Sequence, residues 1–317
     1  MPDMPAVYVE GISKSYGNFR ALDNVSLSIR QGEIFGLIGP NGAGKTTLAK
    51  IASGSLKPDS GNVFILGMEL GKNYKEIKKN IAIVPQEISC FFDFTVEENI
   101  WFFASFYGIS GKELRQRVEY LLNWLDLAKF RERKAKDLSG GYKRLLNIAC
   151  SLVNDPKVIF MDEPTVGLDP KVRQVFWDKI LALKEQGKTV CLTTHYMDEA
   201  QHLCSDIGLI SGGKLLTTGT PFDLVQKFGG LKVLVVKLSR QPESEDVDAM
   251  KEALQESEIV AVGNFLIISL LPEKALEKIS VITEWLVEQG YEIMSSQLKE
   301  PDLEDVFMTV EGERLKE

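Results

Sequence analysis

Eight consecutive residues, Gly39-Pro40-Asn41-Gly42-Ala43-Gly44-Lys45-Thr46, satisfy the pattern GxxxxGK[ST] and follow directly on a short apolar run. Glycines at those intervals let the backbone curl so that its N–H groups converge on one point. A helix beginning there adds its positive end. The pair suits a phosphate chain: Lys45 reaches β- and γ-phosphate oxygens, and the Thr46 hydroxyl stands where a bridging Mg²⁺ takes a ligand. A match of this kind arises by chance in roughly one chain in a hundred, before its strand-and-helix setting is required.

Two further segments bear on the same chemistry. Val158-Ile159-Phe160-Met161-Asp162-Glu163-Pro164 is an apolar strand ending in two carboxylates. In an open α/β sheet that end is where ligands bind. Asp162 would hold Mg²⁺ through water, and Glu163 would polarise an attacking water. An isolated Asp-Glu pair is more often a solvated turn, but the upstream phosphate loop reverses those odds. Leu138-Ser139-Gly140-Gly141-Tyr142 opens a helix, with Ser139 suited to cap it and the two glycines freeing N–H groups. That is a second phosphate-binding geometry in a chain whose one nucleotide already has a cradle.

The elements that must position these residues are legible in outline. Residues 33–38, 158–161 and 190–193 read as buried strands, each followed by a turn and helix-compatible sequence, which predicts a mostly parallel sheet covered by helices. A helical insertion runs from about 88 to 155, with a capping box at Thr95-Val96-Glu97-Glu98. Composition shifts near Gly229-Gly230: residues 1–230 hold 23 of the 26 glycines. The Gly-poor remainder reads as strand 231–238, helix 247–256, two strands within 259–269 hinged at Gly263-Asn264, helix 273–289, a strand from Tyr291 and a helix from Pro301. That βαββαβ order predicts a small α+β, ferredoxin-like domain. The expected division is 1–226 and 231–317.

The order GPNGAGKTT, then Gln86, LSGG, the Asp162-Glu163 strand and His195 resembles the ATPase domain of ABC transporters over residues 6–226. The resemblance implies a P-loop NTPase fold of α/β class. It further implies that two such domains pair head to tail, each ATP lying between one chain's phosphate loop and the other's LSGG. On matching positions, Gly39, Pro40, Asn41, Gly42, Ala43, Gly44, Lys45, Thr46 and Thr47 would bind ATP, with Ser139, Gly140 and Gly141 supplied to the partner's nucleotide. Tyr16, 29 residues before Lys45, resembles the aromatic that stacks on adenine. Gln86 resembles the glutamine that contacts Mg²⁺ and the attacking water, joining Thr46 and Asp162 around the metal. Asp169 resembles the aspartate that crosses the dimer interface, and His195 the histidine that contacts the γ-phosphate. Tyr142 departs from the Gln usual after LSGG, which bears on contacts to the ribose or the partner.

Two functional classes fit such an ATPase: the energising subunit of a membrane transporter, or a soluble ABC ATPase acting in DNA repair or translation. The chain has one phosphate loop, no long heptad run and four dispersed cysteines, which favours the transporter. No apolar stretch approaches the roughly twenty residues of a spanning helix, so the expected partner is a separate polytopic permease, with no nucleic acid. The chain would then be cytoplasmic, peripheral on the inner face of the membrane. Of the aromatics Phe91, Phe92, Phe94, Trp101, Phe102 and Phe103, most are expected in a core and a few in a docking groove for the permease. The segment Pro301-Asp302-Leu303-Glu304-Asp305-Val306-Phe307 is similar to the ending of drug-, sodium- and polysaccharide-type exporter subunits. The net charge of −8 divides unevenly: residues 231–317 carry 9 Lys plus Arg and 19 Asp plus Glu, leaving 28 and 26 for the first 230.

Overall fold

A computed structural model describes residues 4–254 and 258–314. The chain divides between Pro221 and Phe222 into two compact units. In the first, a six-stranded sheet runs in the order Lys214–Gly219, Asp206–Ser211, Ile34–Ile38, Thr189–Thr194, Val158–Asp162, Ile81–Val84. Five of these strands are parallel and only the Lys214–Gly219 edge is antiparallel. All of Ile34–Ile38 and four residues of Val158–Asp162 are buried. Continuous apolar runs of this kind belong to strands covered on both faces. The parallel arrangement brings the carboxyl ends of the Ile38, Val84, Asp162 and Thr194 strands to one edge, and the residues that follow them share it.

A second, antiparallel sheet adds Phe19–Ile29, Val7–Tyr16, Ser60–Ile65 and Met68–Glu69, in that order. Its apolar face shares one core with the helix Lys45–Ala52 through Val7, Val9, Leu27, Leu48 and Ile51. Residues 88–155 are largely helical, through Val96–Ser105, Gly111–Trp124 and Gly140–Ser151. The first of these starts where the sequence predicts. Thr95 Oγ1 accepts from the Glu98 N–H at 3.1 Å, and the Glu98 carboxylate accepts from the Thr95 N–H at 2.7 Å.

The aromatics of this segment differ from expectation. The buried face of Val96–Ser105 is Val96, Asn99, Ile100 and Ala104. Trp101, Phe102 and Phe103 therefore fall off that face, and Phe91, Phe92, Phe94, Trp101 and Phe106 are exposed. Phe91, Phe94, Phe102, Phe103 and Phe106 instead pack on one another with centroids 4.6–6.4 Å apart, Phe91 stacking on Phe94 and most of the other pairs meeting edge to face.

The second unit contains strands Lys232–Leu238, Glu258–Val262, Phe265–Leu270 and Ile293–Lys299 in one antiparallel sheet. Glu258–Val262 and Ile293–Lys299 form its edges, with Phe265–Leu270 and Lys232–Leu238 between them. Helices Ser244–Leu254 and Ala275–Glu288 occupy the two crossovers. Leu234, Val236, Leu266, Ile268, Met250 and Ile282 form its core. The hairpin turns at Gly263, whose φ of +58° is a conformation glycine adopts without strain. The helix Leu303–Arg314 follows, with Asp302 Oδ1 accepting from the Glu304 N–H at 2.9 Å. No helix among the described residues is long and apolar enough to cross a membrane.

Candidate functional site

The phosphate loop is shaped by what it cannot contain. A Cβ on Gly39 would lie 2.1 Å from the Ile210 carbonyl oxygen, and one on Gly44, at φ +105°, would lie 2.6 Å from that of Ala21. The loop is thereby drawn against the sheet and turned into the helix Lys45–Ala52. Asn41, Gly42, Gly44, Lys45, Thr46 and Thr47 line a cleft, facing Gln86, Glu163 and His195. Ala43 is buried in the core beneath them, and Gly39 packs on Ile210.

Lys45 is 5% exposed. Its Nζ donates to the Gly39 carbonyl at 2.7 Å and the Pro40 carbonyl at 3.0 Å, and lies 3.6 Å from Glu163 Oε1. Burial lowers its pKa, while the charges of Glu163 and Asp162 oppose that shift. Asp162 Oδ1 accepts from Thr46 Oγ1 at 3.1 Å and from Thr193 Oγ1 at 2.5 Å. Glu163 sits at the centre. Its φ is +45°, in the left-handed region. Its Oε2 accepts from Gln86 Nε2 at 3.2 Å, and His195 Nδ1 lies 3.2 Å from its Oε1.

The donor set suits Mg²⁺. A hydroxyl and a carboxylate oxygen meet at Thr46 and Asp162, and Gln86 offers a side-chain amide nearby. No group of three or more His, Cys, Asp or Glu that could hold a metal occurs among the described residues. A magnesium ion ordinarily takes only one or two carboxylates and completes its shell with phosphate and water, so this sparse hard-oxygen set fits it.

The remaining predicted residues stand elsewhere. Ser139 caps the helix Gly140–Ser151 by position, but its hydroxyl makes no capping bond. A Cβ on Gly140 would meet open space, whereas one on Gly141 would lie 2.7 Å from Val172 Cγ1. Asp169 Oδ1 accepts from the Lys171 and Val172 N–H groups at 3.1 and 3.0 Å, capping the helix Pro170–Glu185. Neither Ser139–Gly141 nor Asp169 lines the cleft of this chain. Tyr142 is engaged within it: its ring meets Phe130 at 4.5 Å, with Lys129 Nζ 5.2 Å above.

Three residues escape sequence reading. Phe19 lines the cleft directly across the hairpin from Tyr16, and the two are 61% and 50% exposed. The signal was an aromatic directly after the Gly17-Asn18 turn. Arg144 is buried against the Glu163 carbonyl, and Glu199 is buried against Thr165. Arg144 had a signal: it heads Leu145-Leu146-Asn147-Ile148-Ala149-Cys150, apolar but for Asn147, and all seven residues are buried. A helix apolar nearly all round has no solvated face for a charge.

Residues 22–166 match the family model described as ABC transporter. The linearmycin resistance ATP-binding protein LnrL of Bacillus subtilis (strain 168) is 35% identical over 97% of this chain and 99% of its own length. The chain belongs to the ABC transporter ATP-binding subunits. It is an ATPase coupled to transport, and the DNA-repair or translation alternative is not what these matches support. The Nod factor export ATP-binding protein I of Ralstonia nicotianae is 34% identical over 99% of the chain and 96% of its own length. Among solved structures, the ATP-binding cassette MJ0796, a dimer in a post-hydrolysis state bound to ADP and Pi, superposes with a TM-score of 0.62. That match has 30% identity over 68% of this chain and 98% of that one.

Proposed function

We propose that this ATPase drives an exporter, as one of two copies that close head to tail over ATP, with Glu163 as the residue that polarises the attacking water. The observation that carries the catalytic part is the placement of the Glu163 carboxylate. It lies between Lys45, Gln86 and His195 at the cleft edge, on a strand end shared with Asp162. Catalysis then consists of positioning and electrostatic stabilisation. The loop N–H groups and Lys45 hold the β- and γ-phosphates, for which Lys45 exchanges the Gly39 and Pro40 carbonyls. Tyr16 stacks on the base. Glu163 accepts a hydrogen bond from water in line with the γ-phosphate, and His195 contacts that phosphate. Thr46, Asp162 and Gln86 would hold Mg²⁺, which supplies charge neutralisation on the phosphate oxygens.

Ser139, Gly140 and Asp169 stand outside the chain's own cleft, which supports their service to a second copy. The dimeric state of the cassette MJ0796 supports the same arrangement. Export is supported by the Nod factor relative and by the Pro301–Phe307 segment. The exposed aromatic cluster around Phe91 and Phe106 suits a separate permease at the membrane's inner face. The second unit's βαββαβ order and strand arrangement support a ferredoxin-like accessory domain.

Glu163→Gln keeps the shape and loses the base. Its expected behaviour is ATP-dependent dimerisation, seen by size-exclusion chromatography, with phosphate release reduced about 10³-fold. Normal turnover by that variant would falsify the assignment of Glu163. Recovery of ribosomes or DNA in place of a polytopic protein, on purification from detergent-solubilised membranes, would refute the transport partner.

A further inference from the structure

Glu163 occupies a backbone conformation that non-glycine residues rarely hold, so its surroundings must over-determine it. Two buried charges of opposite sign do so. On one side Arg144, 4% exposed, donates from Nη2 to the Glu163 carbonyl at 3.1 Å and from Nε to the Pro164 carbonyl at 2.9 Å. Its Nη1 donates to the carbonyls of Pro85, at 2.9 Å, and Gln86. One guanidinium thereby ties the strand end carrying Gln86 to the strand end carrying Glu163. Burial pushes its pKa down, and the carboxylates of Asp162 and Glu199 oppose that push.

On the other side Glu199, fully buried, accepts at Oε1 from Thr165 Oγ1 at 2.6 Å and from Trp177 Nε1 at 3.2 Å. Thr165 is fully buried and two residues past Glu163. Oε2 of Glu199 is buried with no hydrogen-bond partner among the described residues. An orphaned carboxylate oxygen is a stability cost that an apolar side chain would avoid. Retaining a charge there calls for a reason other than stability.

We propose that Arg144 and Glu199 are positioning residues, a buried clamp that grips the Glu163–Thr165 turn from both sides and keeps the Glu163 carboxylate between Gln86 and His195. The proposal rests on Glu163 being the polarising base. It also gives the turn a mechanical connection: Arg144 belongs to the helix that Ser139 opens, and Trp177 to the helix that Asp169 caps. The two segments assigned above to a second copy therefore each hold one jaw of the clamp.

The test is steady-state hydrolysis of Mg·ATP by the full-length chain carrying Thr165→Val, Thr165→Ser or Trp177→Phe, with melting temperature measured on each. Thr165→Val deletes one donor to Glu199 at nearly constant shape. A kcat about tenfold lower with KM for ATP unchanged within about twofold is expected, because misplacement of a catalytic group costs rate while the phosphate loop still binds. Thr165→Ser restores the hydroxyl and the rate. A folded Thr165→Val chain with normal kcat overturns the clamp, as does equal loss in Thr165→Ser. Should Thr165→Val fail to fold, Trp177→Phe removes the second donor and must show the same kcat-only loss; a normal kcat there overturns the proposal. Failure of the underlying reading is separable: it would appear as normal turnover in Glu163→Gln, whatever Thr165 does.

Discussion

The described residues up to Pro221 hold every non-glycine residue with positive φ, namely Asn24, Leu66, Asp126, Asp155 and Glu163; those after it hold none. The first 230 residues are close to neutral and Gly-rich, and the last 87 carry 9 Lys plus Arg against 19 Asp plus Glu, with three glycines. The contrast separates a unit whose backbone is bent to meet a ligand from one built of regular elements. In the first unit, glycines admit close backbone approach. In the second, Gly263 and Gly290 mark turns. At Glu163 the strained conformation aims a carboxylate, and the surrounding hydrogen bonds hold it there.

The contrast between the units is tested most directly by adding one methyl group to each. At Gly39 the new Cβ would sit 2.1 Å from the Ile210 carbonyl oxygen, so backbone must move. Gly39→Ala should cost about 3 kcal/mol and disable ATP binding, read by thermal unfolding and by nucleotide titration. At Gly263 nothing lies within 4 Å, and only the φ of +58° is strained. Gly263→Ala should cost about 1 kcal/mol, with ATPase activity unchanged. Comparable losses at both positions would mean that the units do not differ in this way.

How far the sequence disclosed these features follows the same division. The phosphate loop, the Asp162-Glu163 strand end and the Thr95 capping box were legible because each is contiguous, and its chemistry is local. The sheet built on Val7–Tyr16 was not predicted: three register shifts interrupt its pairing with Phe19–Ile29, which blurs the period-two pattern of a half-buried strand. The exposed aromatics were misjudged because Trp101, Phe102 and Phe103 are consecutive, and a helix can turn only part of such a run inward. Arg144 and Glu199 act through carbonyls and hydroxyls distant in sequence, where no spacing rule applies. The second unit's order was readable from its turns, although the helix expected at 247–256 begins three residues earlier, at Ser244, and residues 255–257 lie outside the described chain.

A smaller effect sharpens the picture of the cleft itself. Phe19 and Tyr16 face each other across the hairpin and both line the nucleotide cleft. Exposed rings at that density carry a cost in water unless something covers them, and a purine face would do so. Phe19→Ala should raise KM for ATP by about threefold with kcat unchanged, the size of one aromatic contact. A loss in kcat instead would place Phe19 with the hydrolytic groups and not with the base.

The smallest expected effect concerns the acidic unit. Two copies of this chain that close on ATP bring two sets of like charge into one assembly, and repulsion across water is felt over the Debye length, roughly 30 Å at 0.01 M salt and 10 Å at 0.1 M. Exposed Glu273, Glu277, Glu284, Glu288 and Glu292 supply five of those charges. In the Glu163→Gln background, ATP-driven dimerisation should therefore strengthen as salt rises through that range, by about threefold or less, since surface charges contribute little individually. Replacing the five by Gln should flatten the dependence while leaving dimerisation at 0.15 M salt unaltered, as sedimentation would show. Parallel salt curves for the two chains would make the acidic unit an ordinary solvated surface. A reversed slope would mean that its carboxylates meet basic groups on closing, so that the charge contrast between the units attracts and does not repel.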